Sequence, residues 1–249
     1  MAGKVETMRQ VTLVAFYGPK PEAIESLIKE CQDRIAQHLR TFNRKPIEEV
    51  HATMIGLERL DSRLNNRNFS EYRGETREMD LLGFREYLLR SGQIPFTVQI
   101  GGFQDRDYSF TSRGQRPHAR SFSIQGKLAV VMGWPFMGHT YPMTLDTIRR
   151  SAQSFGILHL YNRSLEDVDN DLYFRIGVLD SIPAQGEEDS SEAQADLRRF
   201  LADRDPLVEE VGISDLSFVS YPEGEETLPF ERTKRIPLDT EDYLLALYD

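Results

Sequence analysis

The order of apolar patterns along this 249-residue chain predicts an α+β fold, one domain of mostly antiparallel strands with helices packed outside. Three observations lead there. Short β-branched or aromatic runs, about seven of them, mix with three or four helical stripes in an order that is neither strict alternation nor a row of hairpins. Composition supplies a core, since 39% of the residues are apolar and 10% aromatic, which argues against global disorder. No internal stretch rich in Gly, Ser or Pro demands a second domain, so residues 1–249 read as one unit.

Residues 11–17 (VTLVAFY) are β-branched and aromatic and end at Gly18-Pro19, a buried strand. Pro21 opens a helix to about Leu39, because Ile24, Leu27, Ile28, Cys31, Ile35 and Leu39 recur at spacings of three and four. The segment 48–57 (EEVHATMIGL) is the next strand. Residues 58–92, rich in charge and Asn, read as a peripheral insertion with a helix at about 78–90. Strands follow at 95–103, 120–125 and 127–134; Gly101-Gly102 suggests a bulge and Trp134 is core. A helix over about 143–157 leads to a strand at 172–179 (LYFRIGVL). The acidic stretch 183–196 reads as a mobile loop whose second half opens a helix through about 203. The last strands are 214–221 and roughly 228–236.

Charge and cysteine count narrow the function. Thirty Lys+Arg against forty Asp+Glu leave −10, so bulk charge does not drive binding to DNA or to an anionic membrane. One cysteine, Cys31, rules out an internal disulfide framework and cysteine zinc sites. No His/Asp/Glu cluster has ligand spacing, and no P-loop, dinucleotide glycine fingerprint or serine nucleophile elbow occurs. The expectation is no metal and no cofactor. Apolar stretches such as 128–138 are too short and broken for a bilayer, and residues 1–10 lack the apolar centre of a signal peptide. A soluble cytoplasmic protein of open oligomeric state follows.

The segment His51-Ala52-Thr53-Met54-Ile55-Gly56-Leu57-Glu58 carries the most chemistry. Side chains at i and i+2 of a strand leave the same face, so His51 and Thr53 point together into one cleft. Val50, Ala52 and Met54 point to the opposite, packed face. An imidazole moves a proton near neutral pH and a hydroxyl donates to a phosphate oxygen, so the pair suits phosphoryl chemistry. A half-buried strand with both side chains facing solvent also accounts for so short a motif.

With a strand and a long amphipathic helix before it, the motif resembles the first half of the 2H phosphoesterase superfamily, which includes 2′,5′ RNA ligase-like and cyclic phosphodiesterase proteins. PFTVQIGGF followed by KLAVVMGW is similar to the strand pair after that family's first motif, and the helix and Gly-containing strand beyond follow in the same order. The resemblance covers about residues 11–221, with a longer insert at 58–92. It implies a bilobal, pseudo-twofold α+β fold with a concave cleft. There two His-x-Thr/Ser motifs, one per lobe, act on a phosphodiester without metal. One His is the base and the other the acid, while the hydroxyls hold the phosphate. His51 and Thr53 carry over as the first motif.

The second motif departs from the pattern. Setting Gly177 and Leu179 against the family's Gly and Leu puts Tyr173 where the His belongs and Arg175 where the Thr or Ser belongs. Arg175 offers a planar fork of donors to a phosphate, and Tyr173 is a poor base but a candidate proton donor. Tyr173 packed on an aromatic and Arg175 paired with an acid is the other reading. Among the remaining histidines, His139 in a loop is the one to test as a replacement. Residues 108–127 hold Arg113, Arg116, His118, Arg120 and Lys127 with no acid, interleaved with Tyr108, Phe110 and Phe122. Arg113, Arg116 and Arg120 are therefore candidate phosphate ligands, with a solvated hairpin loop as the plain alternative.

Together these readings point to a metal-independent phosphodiester hydrolase or cyclic phosphodiesterase-like protein. It would act on, or bind, a nucleotide or RNA-end phosphate through His51 and Thr53, with catalysis weakened by the altered second motif. The alternative is a non-catalytic interaction protein with an acidic surface.

Overall fold

The computed structural model describes residues 8–184, 187–223, 228–240 and 244–248. Expectations for residues 1–7 and for positions 185–186 of the acidic loop lie outside these. Among the described residues ten strands form one sheet. They are β1 (Arg9–Ala15), β2 (Phe42–Arg44), β3 (Ala52–Gly56), β4 (Phe96–Ile100), β5 (Phe122–Gln125), β6 (Leu128–Pro135), β7 (Leu172–Leu179), β8 (Leu207–Val211), β9 (Leu216–Pro222) and β10 (Lys234–Pro237). Six α-helices accompany them: α1 (Glu22–His38), α2 (Arg67–Arg73), α3 (Leu81–Arg90), α4 (Pro117–Ser121), α5 (Thr144–Ser151) and α6 (Glu188–Asp203). The spatial order is β10-β9-β1-β3-β7-β6-β4-β8, with β2 on β7 and β5 on β6. Each of these pairings is antiparallel. The α+β class holds. Among the described residues no helix is long and apolar enough to cross a membrane.

The four central strands of the order, β1-β3-β7-β6, form two matching pairs about the β3–β7 contact. The units β1–α1–β3 and β6–α5–β7 are strand, helix, strand, and their second strands meet at the pair Ala52 and Phe174. An antiparallel pair carries a local twofold, so two similar lobes face each other across that seam.

Alternation decides the two faces of the sheet. Val50, Ala52 and Met54 are fully buried on the helix side, among Ile24, Leu27, Cys31 and Ile35 of α1 and Leu197 and Leu201 of α6. Burying each large aliphatic or aromatic side chain contributes about 1.5–3 kcal/mol, so this main core holds the helices to the sheet. Two smaller apolar clusters stand on the opposite face. One gathers Val14, Tyr17, Val219 and Leu228; the other gathers Phe103, Val130, Met132 and Trp134. The polar side chains of β3 and β7 lie on this same face.

Sequence boundaries and structure differ in instructive places. The segment 58–92 is not peripheral to the core: Met79, Leu81, Phe84 and Leu88 join the main cluster, with Phe84 and Leu88 fully buried. Its α2 is capped by the Asn66 side chain, which accepts from the Phe69 N–H, and Asn66 is itself fully buried. Polar composition hid a segment whose asparagines work inside the protein. The helix read as 143–157 stops at Ser151 and tightens into a 3₁₀ turn over Ala152–Phe155.

Candidate functional site

The seam between the lobes builds the site. From Ala52 opposite Phe174, one residue each way places His51 against Arg175 and Thr53 against Tyr173. All four line one open cleft of about 570 Å³ on the sheet face away from the helices. Thr12 of β1, Leu128 of β6 and Tyr221 of β9 extend its floor, so strands from both lobes contribute. The face and the spacing are those read from the two i, i+2 pairs.

Sequence reasoning missed three contributors, Lys45, Glu58 and Tyr17, and named Lys127 only as part of the basic stretch 108–127. Lys45, Glu58 and Lys127 line the cleft, and the edge of the Tyr17 ring meets His51 at 5.7 Å between centroids. Lys45 follows the three-residue strand β2, and its N–H donates to the Ile176 carbonyl at 3.1 Å. The buried Gln32 side chain of α1 donates to both Lys45 O and Ile176 O, each at 2.8 Å, fixing the backbone one residue from Arg175. Lys127 reaches the Asp180 carbonyl at 2.7 Å. Nothing in the local pattern marks a lone lysine after so short a strand, whereas Glu58 closes the motif segment itself.

The state of His51 follows from its contacts. Its Nδ1 lies 2.7 Å from the Glu49 carbonyl, which only accepts, so Nδ1 carries the proton and Nε2 is the basic nitrogen. Burial, then the positive charge of Lys45, then Arg175 and Lys20 push the imidazole well below its ordinary range against the Glu49 contact. The ring is neutral at pH 7, a base in waiting. Burial likewise brings Lys45 down to about 7, helped by Arg175 and opposed by Glu49, and Lys20 down to about 8. Burial raises Glu58, whose Oε1 accepts from the Tyr221 hydroxyl at 3.1 Å. The cleft is cationic in a chain of −10.

Tyr173 is held differently from a histidine. Burial raises its phenol above the usual value, while contact with the Thr53 hydroxyl and the charge of Arg175 pull the other way. It keeps its proton near neutrality and packs beside the cluster of Phe103 and Trp134.

The arginines of the basic loop lie away from the cleft. Arg116 pairs with Asp105 and Asp107, each at 3.1 Å. Arg113 pairs with Asp169 at 3.4 Å and lies over the Tyr161 ring, and the buried Arg120 pairs with Asp171 at 3.1 Å. None of the three lines the cleft. Their partners sit just before and far after the acid-free window, so the three arginines are neutralised by pairing, while Lys127 of the same stretch lines the cleft. His139 is exposed in the turn after β6, outside the cleft, and His159 is buried against Asp169 at 2.7 Å.

Behind the cleft a fully buried arginine of α5 clamps the seam. Arg149 donates to the carbonyls of Met54 (2.8 Å), Asp169 (2.9 Å), Asp171 (3.1 Å) and Thr53 (3.2 Å). These lie in β3 and in the approach to β7, where the two strands share only the Ala52 and Phe174 pair. The guanidinium replaces missing ladder bonds and sets Thr53 against Tyr173.

No family model matches the chain, and no curated protein matches it. Among solved structures it is similar to TT0787 of Thermus thermophilus, at 12% identity over 91% of this chain and 93% of that one, TM-score 0.43. It is similar to E. coli LigT complexed with ATP, at 12% identity over 92% and 95%, TM-score 0.38. Usb1 of Kluyveromyces marxianus is similar at 11% identity over 93% and 98%, TM-score 0.40. The architecture is the one implied by the resemblance of the His51 motif: two lobes, one motif strand from each, one cleft.

Proposed function

We propose that the cleft between β3 and β7 binds the phosphate of a nucleotide or an RNA end and hydrolyses phosphodiesters there, slowly and without a metal. The observation that carries this reading is a neutral imidazole, protonated at Nδ1, in a cleft lined by Lys45, Lys127 and Arg175. His51 takes a proton from the attacking water at Nε2. The Thr53 hydroxyl and the Arg175 fork hold the non-bridging oxygens, where charge-assisted hydrogen bonds are strongest. The second lobe offers Tyr173 in place of an imidazole. Losing one positioned proton-transfer group costs about 10²–10⁴-fold in rate, so turnover is slow.

Melting the protein with increasing 3′-AMP tests the binding half. Saturation to 100 times the dissociation constant adds about 2.7 kcal/mol of stability. Hydrolysis of 2′,3′-cyclic AMP with chelator present tests the chemical half. A melting temperature unmoved by any mononucleotide, together with no turnover, would hand the chain to the interaction-protein reading.

A further inference from the structure

The altered second motif leaves the cleft with a base and no evident acid. A phosphodiester's leaving alkoxide needs a proton, and Tyr173 holds its own tightly. Lys45 lines the cleft with 7% of its surface exposed and makes no ion pair among the described residues. Removing an ammonium from water without a carboxylate is costly, and such a charge persists where an anion or a proton acceptor is its partner in use. Its backbone is fixed by Ile176 and Gln32, so the position is built rather than incidental.

We propose that Lys45 is the second acid–base group of this cleft, the donor that protonates the leaving oxygen while His51 deprotonates water. This rests on the phosphodiesterase reading above. In the step, the water oxygen forms a bond to phosphorus as its proton passes to His51 Nε2. The phosphorus–oxygen ester bond breaks, and its electron pair takes a proton from Lys45 Nζ. His51 then loses a proton to solvent and Lys45 regains one, so the balance is one water consumed and one phosphomonoester and one alcohol formed, the alcohol being the freed ribose hydroxyl of the same molecule when the substrate is a 2′,3′-cyclic nucleotide.

The surroundings agree with those roles. Lys45 faces Arg175 on β7, His51 at the start of β3, Glu49 before it and Lys20 after β1, with Glu58, Lys127, Tyr173 and Tyr221 on the cleft walls. Cations outnumber ionised carboxylates there, which eases proton release from an ammonium and keeps the imidazole neutral. A base lowered well below 6.5 and an acid at about 7 are both in working form close to neutrality.

Leaving-group dependence is the test. The native protein, Lys45→Arg and Lys45→Met are assayed on 2′,3′-cyclic AMP and on bis(p-nitrophenyl) phosphate, whose p-nitrophenolate departs without a proton. Arginine keeps the charge but does not release a proton. Lys45→Arg is expected to lose about 10²–10⁴-fold in kcat on the cyclic nucleotide and less than about tenfold on the nitrophenyl ester. It should also lose the alkaline limb of the native pH profile. Lys45→Met, which removes a buried cation, keeps the comparison meaningful if arginine does not fit; both variants are checked by melting. Equal losses on both esters would make Lys45 a phosphate ligand only, overturning the inference and sparing the parent reading. No loss on either ester overturns it as well. A native protein that turns over neither ester overturns the phosphodiesterase reading and this inference with it.

Discussion

Replacing Arg149 with methionine tests how the seam is held. The substitution roughly keeps the apolar stem and removes the guanidinium, leaving the carbonyls of Thr53, Met54, Asp169 and Asp171 without their donor. It also strips the Asp169 carboxylate of a partner at 3.3 Å. Breaking a buried pair from one side costs roughly 3–5 kcal/mol, a large part of the 5–15 kcal/mol typical of a whole domain. For a chain of this size each kcal/mol moves the melting temperature by about 2–4 °C, so a fall of roughly 6–20 °C is expected. Arg149→Lys should recover little, because one ammonium cannot span four carbonyls. Burial alone would raise Asp169, but Arg149, His159 and Arg113 outweigh it and hold the carboxyl well below its usual value. A depressed acid stabilises above its unfolded pKa of about 3.9 and loses that contribution as pH falls through the folded value, so the comparison belongs at pH 7. Urea melts at pH 7 give the midpoint and slope for each variant. A loss below about 1 kcal/mol at unchanged slope would refute the clamp.

Three further outcomes are expected. Arg175→Ala should weaken 3′-AMP binding by about 1.5–3 kcal/mol, read by calorimetry, through loss of a charge-assisted contact; Arg116→Ala, paired with Asp105 and Asp107 outside the cleft, should leave affinity unchanged. His51→Ala should cut residual turnover of 2′,3′-cyclic AMP by about 10²–10⁴-fold with a smaller effect on affinity, and the acid limb of native turnover should lie well below pH 6.5, where the lowered imidazole protonates. Phe84→Ala should cost about 3–5 kcal/mol in a urea melt, because the ring is fully buried in the main core; a peripheral insertion would tolerate it.

Much of this was legible from short-range patterns. LYFRIGVL forms β7 over the same eight residues read from the sequence, since its alternation and β-branched content act locally. The stripe from Ile24 to Ile35 likewise makes α1. The cleft pairs were legible because period two fixes which side chains share a face. What escaped depends on distant partners. The edge strand β8, LVEEV, puts two glutamates in a five-residue run whose pairing to β4 supplies the order that its polarity conceals. Arg113, Arg116 and Arg120 looked like a free basic patch because Asp105, Asp107, Asp169 and Asp171 lie outside the window. Lys45 joins the site only because β2 pairs with β7, a contact across more than a hundred residues that no motif announces.

The most direct measurement is a crystal structure of the protein with 3′-AMP bound. The phosphate is expected between His51 and Arg175, with Thr53 and Lys45 within hydrogen-bond distance of its oxygens. A nucleotide bound instead along the loop of Arg113 and Arg116, with the cleft between β3 and β7 empty, would contradict the assignment.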